Sequence, residues 1–133
     1  MDNFNQAIHS DLCTFMQPCF ELYHDNVMLS CLGKALSYGE VDSLSNQFSN
    51  FLVNHIGLQP GDRLAIQLPN SLQYGIAVYG ALKAGVIIVN CNPMYTPREM
   101  AHQFNDAGAK ALLIFKPMLT KYEAISTQVE IES

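Results

Sequence analysis

The residues whose types and spacing invite chemistry fall in one irregular loop, Asn90 to Thr96, which carries Asn90, Asn92, Pro93 and Tyr95 just ahead of a strong helix start. Carboxamides and a phenol both donate and accept hydrogen bonds, and the first turn of a helix carries backbone N–H groups able to face an anion. The chemistry on offer is recognition of a polar or anionic ligand. A plainer alternative stands open at this point: Asn92-Pro93 makes a turn and Tyr95 packs on the sheet edge. Pro69-Asn70-Ser71 forms a second, shorter loop.

Other chemistries lack their residues. Glycines stand at 33, 39, 57, 61, 75, 80, 85 and 108, which matches neither GxGxxG nor GxxxxGK followed by Ser or Thr, so no phosphate-cradling loop of those types is encoded. Cys19 with His24, or His9 with Cys13, pair on paper, but no four-ligand set has zinc spacing. No Ser, His and acid set stands out, because the serines fall at helix caps and exposed helix positions. We assign no catalytic residue and no metal ligand from the sequence.

The elements that must position the loop are legible as alternating strand and helix signals. Arg63 to Leu68, Val86 to Asn90 and Ala111 to Phe115 are short apolar runs, as expected of strands buried on both faces. Between the first two, Asn70 is placed to cap a helix over Ser71 to Ala84, with Lys83 in the last turn and Gly85 as a left-handed stop. Gly75 and Gly80 lie inside that helix, where a missing Cβ permits close approach of a neighbour. Between the second and third runs, Thr96-Pro97-Arg98-Glu99 sets a capping hydroxyl, a proline at the first helical position and a reciprocating carboxylate. Met100, Ala101, Phe104 and Ala107 then recur at helical spacing until Gly108. The order implies an α/β fold, a parallel βαβαβ sheet with right-handed crossovers and flanking helices. In such sheets ligands bind outside the carboxyl ends of the strands, where both loops lie.

Upstream, Leu12 to Tyr23 shows a helical stripe interrupted by Pro18, where a kink or break is expected near Met16 or Gln17. Val27 to Cys31 and Ala35 to Tyr38, joined by Leu32-Gly33-Lys34, read as a short β-hairpin. Ser37 and Glu40 make a capping box for a helix that buries Val41, Leu44, Phe48, Phe51, Leu52 and Ile56 and turns Asp42, Ser45, Asn46, Ser49 and Asn50 to water. Met118 to Ile125 is a further helix candidate, and Val129 to Glu132 alternates like the opening of another strand, inside which the chain stops. The division is therefore 1–38, helix and hairpin, and 39–133, alternating α/β.

Of the 133 residues, 49% are hydrophobic and 14% charged, a balance that supports a folded core. A net charge of −5 without a basic patch gives no electrostatic case for nucleic acid or for an anionic membrane surface. The longest apolar stretch, Ile76 to Val89, is interrupted by Gly80, Lys83 and Gly85 and is too short to span a bilayer. Cysteines at 13, 19, 31 and 91, with no CxxC pair and no secretory leader, point to reduced thiols and a cytoplasmic location.

Two runs carry a family resemblance: LQPGDRLAIQLPNSLQY, from Leu58 to Tyr74, and GVIIVNCNPMYTPREMAHQFNDAGAKALL, from Gly85 to Leu113. Through them, and over roughly Leu12 to Ile125, the chain resembles the N-terminal part of a bacterial long-chain fatty acid CoA ligase of the AMP-forming acyl-CoA synthetase superfamily. The resemblance implies a full-length enzyme that activates a fatty acid with ATP and Mg2+ to an acyl adenylate and then transfers the acyl group to CoA. The family's Ser/Thr/Gly-rich phosphate loop, its adenine and magnesium motifs and its C-terminal domain with a catalytic lysine have no counterpart here.

The resemblance therefore implies an incomplete portion of the large N-terminal domain, inactive alone and with no tight hold on ATP, Mg2+ or CoA. It places Asn90, Asn92, Pro93 and Tyr95 on the CoA side; Arg98 is either a charge toward a CoA phosphate or, more simply, a solvated first-turn residue. Implied partners are fatty acid and CoA, with peripheral membrane association of the parent and self-association through an exposed sheet edge as further expectations. A free-standing interaction or CoA-binding module built on the same fold is the alternative.

Overall fold

The structure, a computed structural model, describes residues 12–132. Leu12–Leu22 forms helix α1, which runs through Pro18 as one helix; of the kink or break expected near Met16 or Gln17, the break into two turns does not occur. Tertiary packing outweighs the local cost: Phe20, 2% exposed, meets Tyr38 and Tyr79 edge-on at ring separations of 6.2 and 5.6 Å. Val27–Cys31 (β1) and Lys34–Ser37 (β2) pair antiparallel with Cys31 opposite Lys34, so the turn is Leu32-Gly33 alone and Lys34 belongs to the strand. Both turn residues have positive φ, 51° and 78°, the hand that matches the twist of a tight hairpin.

Helix α2, Tyr38–Phe51, starts with the expected capping box of Ser37 and Glu40 and continues as a π-helical turn, Leu52–Ile56, that closes on Gly57 at φ 81°. Its buried face is rotated from the one the apolar stripe indicates. Val41 and Leu52 are buried and Phe48 and Ile56 half-buried, whereas Leu44 and Phe51 are exposed and Ser45 is 0% exposed. The cause is a lysine on the neighbouring helix: Lys83 Nζ donates to Asp42 Oδ1 at 2.6 Å, Ser45 Oγ at 2.8 Å and Asn46 Oδ1 at 2.9 Å, which draws the polar stripe inward.

Arg63–Gln67 (β3), Ile87–Asn90 (β4) and Ala111–Ile114 (β5) form a parallel sheet in the order β4-β3-β5, with Ile66 opposite Asn90 and Gln67 opposite Ile114. Leu72–Lys83 (α3) links β3 to β4, and Pro97–Ala107 (α4) links β4 to β5. Two crossovers of one hand that step in opposite directions put their helices on opposite faces. The two cores show this: Leu64 and Ile66 pack with Ala77, Ala81 and Ala84 on one side, and Ala65 packs with Met100, Ala101 and Phe104 on the other. The parallel α/β sheet, flanking helices and preceding hairpin agree with the sequence reading.

Past β5 the helix candidate is shorter than expected, Leu119–Glu123 (α5), between 3-10 turns at Lys116–Met118 and Ser126–Gln128. Val129 to Glu132 forms no strand. A backbone bond from Glu132 N to Lys110 O, 3.0 Å, ties this stretch to the residue that precedes β5, and Asn105 holds the rest by donating to Gln128 O and accepting from Glu130 N.

Candidate functional site

Because α3 and α4 leave for opposite faces, the loops after β3 and β4 diverge at the carboxyl ends of these neighbouring strands, which is where the crevice of an open parallel sheet lies and where such sheets bind ligands. Pro69-Asn70-Ser71 forms one wall. The cap of α3 is Ser71, which accepts from Tyr74 N at 3.2 Å, and not Asn70 as the sequence suggests. Both residues are good caps; chain entry after Pro69 puts Ser71 at the boundary. Beside this wall, a hollow of about 260 Å³ lies between α3 and the hairpin, lined by Leu29, Cys31, Asn70, Ser71 and Tyr74.

The other wall is the Asn90–Thr96 loop, and the structure brings Asn90, Asn92, Pro93 and Tyr95 together there. Tyr74 OH donates to Asn90 Oδ1 at 2.8 Å, which ties the two walls. Asn92 Oδ1 accepts from Met94 N at 2.9 Å and Asn92 O from Tyr95 N at 3.1 Å, so Asn92 and Pro93 do make a turn. Tyr95 is half-buried against the core under α4. In both asparagines the internal bonds engage the side-chain oxygen, which leaves each exposed NH2 group as the end available to a ligand.

The start of α4 is less open to an anion than its sequence suggests. Thr96 Oγ1 accepts from Glu99 N, and Glu99 Oε2 accepts from Thr96 N, so the capping box satisfies its donors internally and sets a carboxylate at the positive end of the helix. Arg98 is exposed in this first turn.

Two residues that sequence reasoning missed hold the loop from beneath. Gln67, at the end of the central strand and 0% exposed, donates from Nε2 to Asn92 O at 3.1 Å. Gln103 of α4 donates from Nε2 to Asn90 O at 2.9 Å. The Oε1 of each is buried without a partner among the described residues, a condition that costs about 1–3 kcal/mol per group. The available signal was Gln67 itself, a lone amide in a strand buried on both faces. Cys91 begins the loop at 5% exposure, and burial pushes its thiol up to about 11, which keeps it protonated and inert at neutral pH.

A second hollow, about 300 Å³, opens at the opposite end of the sheet near Asp62, Arg63 and Lys110. There Lys110 Nζ lies 3.4 Å from Asp62 Oδ2, and Arg63 donates to Ala107 O at the end of α4. Gln59 N, donating to Asp62 Oδ2, holds that carboxyl below its ordinary value, with the Lys110 charge acting in the same direction. These groups are satisfied by one another and secure the turn. Among the described residues no three His, Cys, Asp or Glu side chains gather as a metal site, and no disulfide joins the cysteines; His9 lies outside those residues.

The family model for "AMP-binding enzyme" matches residues 17–133. The chain belongs to that family. Among curated relatives it is 37% identical over 128 residues to a long-chain-fatty-acid–CoA ligase of Escherichia coli, covering 96% of this chain and 23% of the relative. It is 42% identical over 94 residues to the ligase of that name in Haemophilus influenzae, covering 71% and 17%. The chain thus spans about a fifth of the length of the curated relatives it matches. Among solved structures, an anthranilate CoA ligase bound to anthranoyl-AMP superposes with a TM-score of 0.86 at 20% identity, over 95% of this chain and 25% of that one. A long-chain-fatty-acid-CoA ligase from Archaeoglobus fulgidus gives 0.82 at 18% identity, over 91% and 26%. The resemblance carried by Leu58–Tyr74 and Gly85–Leu113 is borne out by these relatives, and the solved structures share the fold.

Proposed function

We propose that this chain is the N-terminal α/β portion, residues 1–133, of a long-chain fatty acid CoA ligase, which as a whole activates a fatty acid with ATP and transfers the acyl group from its adenylate to CoA. The observation that carries this reading is the 37% identity to the E. coli ligase across nearly the whole chain, crevice loop included. In this reading the exposed amides of Asn90 and Asn92, set on the turn that Pro93 makes and flanked by Tyr95, face the polar part of CoA. They bind and orient; none of them moves a proton or attacks a carbonyl.

ATP and Mg2+ do not fit the described residues. No phosphate-cradling glycine loop precedes a helix, no carboxylate cluster among the described residues stands ready for a divalent ion, and of the two helix starts at the crevice, that of α4 carries the Glu99 carboxylate. The chain alone is therefore inactive in this proposal. Purified chain supplied with ATP, Mg2+ and palmitate is expected to form no acyl adenylate; formation of one would refute the proposal. An antibody to the segment Gln59 to Leu68 is expected to detect, in cells that make the protein, a product about four to five times longer than this chain.

One observation favours the interaction module as a second reading. Phe51, 45% exposed, stands with Phe48, Ala111 and Leu113 in an apolar hollow of about 60 Å³ beside β5. A native product ending near Ser133, and a concentration-dependent rise in mass by sedimentation, would favour association through that face. No helix of the described residues is long and apolar enough to cross a membrane.

A further inference from the structure

We infer that Gln67 and Gln103 are positioning residues: their carboxamides clamp the Asn90–Tyr95 loop in its crevice-facing shape before any ligand arrives. Gln67 reaches Asn92 O from the central strand, and Gln103 reaches Asn90 O from α4. Tyr74 of α3 grips the Asn90 side chain, and Lys121 of α5 donates to Tyr95 O at 3.3 Å. Side chains from four separate elements thus donate to oxygens of this one loop. The convergence fixes the loop along its length, at Asn90, Asn92 and Tyr95, and not only where it joins β4 and α4.

The two amides are locked as firmly as they lock. Turning either one over would set Oε1 against a backbone carbonyl, acceptor against acceptor, so the loop selects the orientation that the clamp requires. In that orientation both Oε1 atoms stay buried without a partner among the described residues. Space-filling alone would be served by leucine or methionine, with no orphan acceptor to accommodate. The presence of amides at both positions, at the cost of those acceptors, assigns them to the loop carbonyls. The inference rests on the crevice reading only for what the loop receives, since the clamp is a property of the chain itself.

Hydrogen exchange of the loop amides, measured by mass spectrometry on the chain without CoA, tests the clamp independently of whether CoA binds. The variants are Gln103→Glu, Gln103→Leu and Gln67→Glu, followed from about pH 4 to pH 8. A protonated carboxyl donates to the Asn90 carbonyl as the amide does, and an ionised one repels it. Burial and that carbonyl raise the pKa of the introduced group, so protection of the loop is present below this raised pKa and lost as pH rises through it.

After correction for intrinsic rates, residues Asn90 to Thr96 in Gln103→Glu are expected to exchange about tenfold faster than in the native chain near pH 8 and to return toward native rates at the acid end. Gln103→Leu is expected to stay fast throughout. The native chain measured alongside accounts for the other titrating and charged groups near the clamp: Glu99, His102 and Asp106 on α4, Tyr74 on α3 and Lys121 on α5. Should Gln67→Glu fail to fold, half-buried Gln103 still carries the test. Native exchange at every pH in both Gln103 variants would overturn the inference.

Discussion

Lys83 Nζ lies 2.6 Å from Asp42 Oδ1, and this contact joins the last turn of α3 to the first turns of α2. The ammonium also donates to Asp42 O, Ser45 Oγ and Asn46 Oδ1 and stands 4.9 Å from the centre of the Phe20 ring. With side-chain exposures of 14% and 30%, the pair is partly withdrawn from water, the ammonium more than the carboxylate. One lysine thereby fastens α1, α2 and α3 together.

Lys83→Met keeps the aliphatic stem and removes the charge, stranding the Asp42 carboxylate and the Ser45 hydroxyl. The expected loss is about 2–4 kcal/mol, against about 1 kcal/mol for Asp42→Asn, which retains an acceptor. Urea unfolding with an unchanged m-value measures both. Equal stabilities for Lys83→Met and the native chain would show that the hub is ornamental.

Gly80 faces the same interface. A Cβ there would come 2.7 Å from Phe48 Cδ1 and 2.9 Å from the Ser45 carbonyl oxygen, and the backbone of α2 cannot retreat without disturbing the Lys83 contacts. Gly80→Ala is expected to destabilise by about 1–3 kcal/mol, although alanine ordinarily gains about 1 kcal/mol over glycine in a helix. Gly75→Ala should cost less, because the obstacle is the end of the flexible Leu29 side chain. A net stabilisation by Gly80→Ala would mean that the two helices lie farther apart.

These contacts mark the limit of what the sequence discloses. The three parallel strands and both flanking helices are legible because each carries local signals: apolar β-rich runs, the Thr96 and Glu99 capping box, and a left-handed glycine at Gly85 and Gly108. The position of the loop follows from strand ends. What stays hidden depends on partners distant in sequence. Ser45 reads as a solvated helix residue until Lys83 arrives from the next helix, and Phe51 reads as core although its ring, set against Phe48 and His55, stays 45% exposed. Gln67 and Gln103 act through the carbonyls of Asn92 and Asn90, backbone groups that carry no residue-type signature.

Cys91 gives the fold an alkaline limit. Its thiol is moved from an ordinary value near 9 to about 11 because burial disfavours the thiolate. The unfolded chain releases this proton first, so the contribution of Cys91 is fully present below pH 9 and is lost as pH rises through about 11. Over that window stability should fall by about 2–3 kcal/mol. Cys91→Ala removes this component, and the difference between the two pH profiles isolates it. Parallel profiles for variant and native chains would show that the thiol is not desolvated.

Leu32 supplies a gain in place of a loss. It is 99% exposed, so its side chain contributes no burial, yet its backbone sits at φ 51°, a region that costs a leucine about 1–2 kcal/mol. The turn it forms with Gly33 needs positive φ at both positions, for which Asn-Gly is a preferred pair. Leu32→Asn is expected to stabilise the chain by about 0.5–1 kcal/mol, visible as a rise of about 2–6 °C in Tm. Leu32→Gly should gain less, because glycine also adds freedom to the unfolded chain. The hairpin is coupled to α3 through Leu29, which packs on Gly75, so its stabilisation is transmitted to the global transition. A fall in Tm for Leu32→Asn would show that the two-residue turn is not the one the protein adopts.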